Sequence, residues 1–575
     1  MGNWESVYEK WSSFEKLDPS LKQELENMKG NNEALEDAFY KELSFGTGGL
    51  RGVLGAGTNR MNSYTVRKAV DGLANYLKKN RVNVYDRGVV ISYDSRYMSK
   101  ELALETAKVL GAYGIKSYIF ETLHPTPLLS FAVRNLGTVA GVMITASHNP
   151  PEYNGFKVYN EDGGQIIPDE ANEIIAAIQE VDDELTVPVM DKEQLEEKEL
   201  LTWIGDEIDN AYLEQLGQIS RLSETERKQD KDLQIVFTPL HGTAYDLVMK
   251  GLQQINFNHV DVVKKQAEPD PEFSTVASPN PEEHQAFELA IEQGKKTDAD
   301  ILIGTDPDAD RLGVAVKDDS GEYSVLTGNQ LGSLLLDYIL SHSSEAVLEN
   351  GRMLKTIVTS ELGRKVADYY GVKTINTLTG FKYIGEKIRQ FDATGETFVF
   401  GYEESYGYLI SSFARDKDAV QAAVLAAEMA YFWKKQGKTL NDALDTLYEK
   451  HGYYLEGLDS LTLKRKEGSE KIAAIMERIR KEPFKEIAGI RVKQIEDYLS
   501  SERTVTDSGN AEKIELPKEN VVKYILEKDS WVCLRPSGTE PKIKCYFGVC
   551  GSSKQESEER LATLKTYMED VMKQV

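Results

Sequence analysis

The chain has 575 residues, of which 41% are hydrophobic and 28% charged, the balance of a globular protein of several domains. Its 68 basic and 94 acidic residues leave a net charge of −26, which argues against nucleic acid or an anionic membrane as partner. Three C-terminal cysteines (Cys533, Cys545, Cys550) match no zinc pattern, no apolar run is long enough to span a bilayer, and no signal-peptide core is present, so a cytoplasmic protein with buried free thiols is expected.

The first forty residues read as helical, with Trp4, Tyr8, Trp11 and Phe14 on one face, as in a helix packed against the first domain. Phe45 to Gly52 then crowds four glycines around Arg51, a loop whose backbone can approach an anion closely while presenting a guanidinium to it. A strand–turn–helix–strand order follows three times. It runs first through Gly88 to Tyr93, the polar turn Asp94-Ser95-Arg96, a helix over Ser99 to Tyr113 and a strand over Lys116 to Phe120. It returns with strands at Leu233 to Phe237 and His259 to Val263, and again with strands at Thr356 to Thr359 and Lys373 to Asn376. Such alternation predicts βαβ units and largely parallel sheets. A helical tract over Lys417 to Lys450 closes the third unit, and alternating strands with an exposed terminal helix from Lys554 suggest a smaller α+β domain. The expected boundaries are 1–212, 213–325, 326–452 and 453–575.

Four loops carry candidate chemistry. Thr145 to Pro150 follows the apolar run Val139 to Ile144 and places Ser147 in a solvent-facing turn, with His148 and Lys157 near enough in sequence to handle its proton. Gly304 to Arg311 alternates Asp306, Asp308 and Asp310 between apolar strands, a set of oxygen ligands suited to magnesium. An EF-hand is excluded, because its sixth loop position is Arg311 and its twelfth Lys317. Gly401 to Gly407 holds Glu403, Glu404 and Ser405, which can accept and donate hydrogen bonds as sugar hydroxyls require. Arg535 to Lys542 joins a guanidinium, the Ser537 and Thr539 hydroxyls and amides freed by Gly538 into a phosphate cradle, without the Gly-Lys-Ser/Thr ending of a nucleotide loop. Together these imply phosphoryl transfer on a sugar phosphate. Rival readings are a phosphatase, which would pass the phosphate to water, and a catalytically idle sugar-phosphate binder.

Taken in order, Thr47 to Arg51, Thr145 to Pro150, Asp306 to Arg311, Gly401 to Ser405 and Arg535 to Pro541 resemble the motifs of the α-D-phosphohexomutases, from about residue 40 to the C-terminus. Thr379, Gly380, Phe381 and Lys382 look like that family's specificity loop, and Arg415 to Asp418 like its phosphate-contacting segment. The resemblance implies three related α/β domains and a C-terminal α+β domain around a central cleft. It implies a phosphoserine at Ser147 that donates to the substrate and is restored from a bisphosphate intermediate. Magnesium would be held by Asp306, Asp308, Asp310 and the phosphate on Ser147, with Lys157 as general base and Arg51 and His148 supporting the phosphate. Arg311, Thr379, Gly380, Lys382, Glu403, Ser405 and Lys417 would bind substrate, and Arg535, Ser537, Gly538 and Thr539 its distal phosphate. The expected activity is glucose 1-phosphate to glucose 6-phosphate isomerisation with glucose 1,6-bisphosphate as activator, in a monomer or weak homo-oligomer. Mannose or ribose phosphates are the alternative substrates: Tyr406-Gly407 departs from the Gly-His of many phosphomannomutases, which counts against mannose, while the N-terminal extension and the Tyr402 and Tyr406 flanks look like the branch that includes phosphopentomutases.

Overall fold

Pro19 and Asn31 divide the N-terminal helical tract into three helices, Asn3–Ser12, Pro19–Met28 and Asn32–Phe39. Each break is built from capping chemistry. Asp18 accepts the Ser20 N–H ahead of a proline in the first turn, and Asn31 accepts the Ala34 N–H. Trp11 is fully buried, edge-on to Phe39 and Tyr64, and its indole N–H donates to Glu184 Oε1 at 2.7 Å. Trp4, Tyr8 and Phe14 pack around this cluster less deeply. Trp11→Ala is therefore expected to destabilise the protein by about 3–5 kcal/mol, read as a shift in the urea midpoint, because it opens a cavity and removes the indole donor from the buried Glu184 carboxylate.

The structure is a computed structural model that describes residues 3–46, 48–463, 465–537 and 542–573. It divides into two compact units, Met1–Gly328 with Phe381–Thr439, and Asn329–Gly380 with Leu440–Val575. In the first unit, β1 (Gly49–Val53), β2 (Val89–Tyr93), β3 (Ser117–Phe120), β4 (Ala140–Ile144), β5 (Tyr153–Asn160) and β6 (Leu201–Ile204) form one sheet in the order β1-β5-β4-β2-β3-β6. β2 is parallel to β3 and β4, whereas β5 is antiparallel to both its neighbours. All residues of β2 and β4 are buried, as strands covered on both faces require. Gly49 lets β1 lie against β5, since a Cβ there would fall 1.8 Å from the Phe156 carbonyl oxygen. The register sets Arg51 opposite Gly155 and Gly49 opposite Lys157, so Arg51 and Lys157 share one face.

A second sheet contains β7 (Ile235–Thr238), β8 (Val260–Val262), β9 (Ile301–Thr305), β10 (Leu312–Lys317) and β11 (Tyr323–Val325), in the order β11-β10-β9-β7-β8. β9 and β10 are an antiparallel pair that carries the aspartate loop at its turn. The strands Thr397–Tyr402 and Tyr408–Leu409 likewise pair antiparallel around the Glu403–Gly407 loop.

In the second unit, Gly351–Thr356 runs parallel to Lys373–Thr377, with the helix Glu361–Tyr369 between them in sequence. The strand expected over Thr356 to Thr359 is instead the turn that ends Gly351–Thr356. The Thr359 hydroxyl accepts the Thr356 N–H and lies 2.8 Å from the Thr356 hydroxyl, so the threonines close a turn rather than extend a strand. The tract expected as one helix to Lys450 is two, Ala419–Lys434 and Leu440–His451, separated by Gly437 at φ 72°. C-terminally, an antiparallel sheet orders Tyr453–Thr462, Lys542–Gly551, Trp531–Pro536, Val522–Leu526, Ile490–Asp497, Glu502–Val505 and Ala511–Lys513. The terminal helix Lys554–Lys573 is not the exposed helix expected from its charges, because Leu564 and Met568 are fully buried in that sheet's core. Cys533, Cys545 and Cys550 are free, the first two buried, and burial pushes the Cys533 thiol up to about 12. Among the described residues, no helix is long and apolar enough to cross a membrane.

Candidate active site

The turn after β4 holds Ser147 in the left-handed region, at φ 52°, with its N–H on Thr145 Oγ1 at 2.8 Å. This orients the side chain inward: Oγ donates to Asp306 Oδ2 at 2.7 Å and lies 3.1 Å from His148 Nδ1. Ser147 is only 4% exposed, so it is covered rather than solvent-facing. Burial, followed by the nearby Arg311 and Arg51 charges, pulls His148 down to about 3 and leaves a neutral imidazole. Arg51 Nη1 donates to Asn149 Oδ1 at 3.2 Å, which places it at the rim of the same turn.

Asp306, Asp308 and Asp310 are buried in the β9–β10 turn, with one oxygen from each within 4.8 Å of the others. Backbone contacts from three distant segments hold that turn. Thr126 donates its N–H to the Asp308 carbonyl and its hydroxyl to Asp308 Oδ2, the Thr243 N–H donates to the Pro307 carbonyl, and the Ala419 N–H to that of Ala309. Gly242 permits the approach of Pro307, whose Cα would lie 2.4 Å from a Cβ there. Lys157 Nζ is 2.9 Å from Asp308 Oδ2 and 3.6 Å from Asp310 Oδ2, and Lys417 Nζ is 3.0 Å from Asp310 Oδ2. Burial opposes the charge on Lys157, yet Asp308 and Asp310 outweigh it and hold the ammonium form. Burial and the other two carboxylates push Asp306 well above its usual range. Among the described residues, Oδ1 of Asp308 and Oδ1 of Asp310 are buried without a hydrogen-bond partner. Orphaned carboxylate oxygens gathered around one point fit a hard divalent cation.

Glu403, 7% exposed, closes its loop through its N–H to the Gly407 carbonyl. A Cβ on Gly407 would lie 2.2 Å from Lys417 Cδ, so glycine there makes room for the lysine stem. The Tyr406 carbonyl accepts the Leu312 N–H, which joins this loop to β10. Ser405 is half-buried, Arg311 pairs with Glu282, and Lys382 stands 5.3 Å over the Tyr383 ring. Thr379, Gly380, Arg535 and Ser537 belong to the second unit, where Arg535 Nε is 2.9 Å from Glu519 Oε1. Gly538 and Thr539 lie outside the described residues.

Sequence reasoning missed Thr126 and the clamp on Lys417. The latter is formed by Asp416 on the Tyr159 hydroxyl at 2.8 Å, Asp418 on the Tyr212 hydroxyl at 2.9 Å, and the Arg415 N–H on Ser130 Oγ at 2.8 Å. A lone threonine and three ordinary hydroxyls carry no local signal. The carboxylates of Asp416 and Asp418, already singled out with Lys417, were the available clue.

Models of the phosphoglucomutase/phosphomannomutase family match along most of the chain. Alpha/beta/alpha domains I, II and III match residues 42–185, 210–321 and 327–451, and the C-terminal domain matches 467–565. A phosphoglucomutase of Staphylococcus aureus (strain bovine RF122 / ET3-1) is 44% identical over 515 residues, covering 89% of this chain and 90% of the relative. That of strain MRSA252 is 43% identical over the same span. Among solved structures, pp63/parafusin (phosphoglucomutase) from Paramecium aligns with TM-score 0.69 at 16% identity, over 93% of this chain and 95% of that one. A phosphoglucomutase/phosphomannomutase family protein from Burkholderia thailandensis aligns with TM-score 0.65 at 17% identity, over 92% and 96%. These two share the fold. With four domain models matched in order and close relatives across nine-tenths of its length, the chain belongs to the phosphoglucomutase/phosphomannomutase family.

Proposed function

We propose that this phosphohexomutase interconverts α-D-glucose 1-phosphate and glucose 6-phosphate, with Ser147 as the phosphate carrier and glucose 1,6-bisphosphate as intermediate and activator. The observation that carries the mechanism is the 2.7 Å contact of Ser147 Oγ with Asp306 inside a buried three-carboxylate cluster. The choice of sugar rests on the 44% identity to the S. aureus phosphoglucomutases.

In the first half-reaction the bond from Ser147 Oγ to phosphorus breaks as a bond from a sugar hydroxyl to phosphorus forms, and the proton lost by that hydroxyl ends on the Ser147 oxygen. In the second, the bisphosphate's other oxygen–phosphorus bond breaks as the bond from Ser147 Oγ to phosphorus forms again, and the proton returns from Ser147 to the freed sugar oxygen, so the balance is even. Lys157 is the proton carrier in this cluster, and neutral His148, beside Oγ, can donate a hydrogen bond to the moving phosphate. Asp306, Asp308 and Asp310 would hold magnesium, which neutralises phosphoryl charge when bound. Arg51 supports the phosphate. In the first unit, Arg311, Lys382, Glu403, Ser405 and Lys417 contact the sugar phosphate; in the second, Thr379 and Gly380 are assigned to substrate binding and Arg535, Ser537, Gly538 and Thr539 to phosphate binding.

The test is turnover of glucose, mannose and ribose 1-phosphates by the magnesium-loaded enzyme. Glucose 1-phosphate should lead in kcat/KM by about tenfold or more. A preference for mannose or ribose overturns the sugar, and release of inorganic phosphate without isomer overturns the mutase reading.

A further inference from the structure

The turn after β2 buries a charge that the reaction described so far does not use. The Arg96 side chain is fully inaccessible, as is that of Asp94, whose Oδ2 lies 3.4 Å from Arg96 Nε. Asp94 Oδ1 accepts the Arg96 N–H at 3.0 Å and the Ser99 hydroxyl at 2.7 Å, so the carboxylate fixes both the turn and the guanidinium. A buried ion pair with these extra bonds is costly to desolvate, and its retention calls for a task.

The guanidinium's other contacts define that task. Nη1 donates to the carbonyls of Pro150 at 2.8 Å and Tyr153 at 3.0 Å, and Nη2 donates to that of Ser147 at 2.6 Å and to that of Asn149. All four acceptors are main-chain atoms of the segment Ser147 to Tyr153, the turn that carries the nucleophile and the first residue of β5. Its strained member, Ser147, is one of the two residues whose carbonyls Nη2 holds. A non-glycine residue in the left-handed region is strained, and persists where surrounding bonds over-determine it. The Phe273 ring lies 4.9 Å from the guanidinium carbon, and Tyr97 next door donates its hydroxyl to Glu272 at 2.6 Å. The segment 272–273 therefore covers this network from outside.

We propose that Arg96 is a positioning residue for phosphoryl transfer: its forked contact with the four carbonyls holds Ser147 in the conformation that aims Oγ at Asp306. This rests on Ser147 being the phosphate carrier. Lysine keeps the charge and much of the length but offers a point ammonium, which cannot serve four carbonyls spread around a planar fork. Arg96→Lys is expected to lower kcat about 100-fold, the loss typical of a displacement of about 1 Å in a reacting group, with KM within about threefold.

The decisive readout is phosphate incorporation from glucose 1,6-bisphosphate, followed over time by intact mass. Arg96→Lys should reach the same final stoichiometry as the parent but about 100-fold more slowly. Loss of folded protein would instead lower the stoichiometry and leave the rate of the remaining fraction unchanged, and that outcome overturns the proposal. Asp94→Asn, which removes only the counter-charge, provides a second variant and should slow incorporation about tenfold. If both variants are phosphorylated at the parent rate, Arg96 does not position Ser147. If the parent itself takes up no phosphate, the carrier reading fails first, and the two failures are distinguishable.

Discussion

Ser147→Ala is expected to lower turnover of glucose 1-phosphate by about 10⁴-fold or more, the scale of loss seen when a covalent carrier is removed from an otherwise intact site. The variant keeps the features that shape the turn. Its N–H still reaches Thr145 Oγ1, its carbonyl still meets Arg96 Nη2, and the aspartate cluster stands on its own backbone contacts. Only the Oγ contacts to Asp306 and His148 are lost. Folding should therefore survive, and the circular dichroism melt should stay within a few degrees of the parent. Intact mass after incubation with glucose 1,6-bisphosphate should show no added phosphate in the variant and one phosphate, mapping to Ser147, in the parent. A variant that retains a tenth of the parent's turnover would remove Ser147 from the pathway and shift the carrier role to another group.

The parts of this site that could be read from the sequence are those in which one short segment does the work. The apolar runs before Thr145, Gly304 and Gly401 end in polar turns, and each proves to be a strand feeding a loop. Asp306, Asp308 and Asp310 alternate within one hairpin turn, so their convergence follows from local geometry. The contacts that complete the site cross long stretches of chain. The bond from Ser147 to Asp306 spans 159 residues and that from Thr126 to Asp308 spans 182, and no local pattern announces either. The burial of Ser147 is not legible locally for this reason, since besides the adjacent His148 it meets Asp306 and Arg96, both distant in sequence. The turn at Thr356 failed differently. Two threonines three apart satisfy the composition of a strand, yet their hydroxyls bond to each other and to the backbone and close the chain on itself. In the terminal helix, many charges masked the stripe Leu561, Leu564 and Met568, whose spacing marks a buried face.

Asp308→Asn is expected to reduce kcat by about 10³-fold and, independently of activity, to weaken magnesium binding by the metal-free protein in calorimetric titration. The substitution preserves size and leaves Thr126 an oxygen to bond, but removes one of three carboxylates from a point where two ammonium groups, Lys157 and Lys417, also converge. It thus weakens the cation site and deprives Lys157 of its nearest counter-charge, which frees the lysine to move away from the cluster. Asp298→Asn is the control of equal charge change. That aspartate is 90% exposed, pairs with Lys317 at the surface, and should leave both kcat and magnesium affinity within about twofold. If Asp308→Asn behaves like Asp298→Asn in both measurements, the three carboxylates serve as counter-ions for Lys157 and Lys417, and the cation must be sought elsewhere. If magnesium affinity falls while kcat at saturating magnesium recovers, Asp308 contributes to holding the metal, and the orientation of Lys157 does not depend on it.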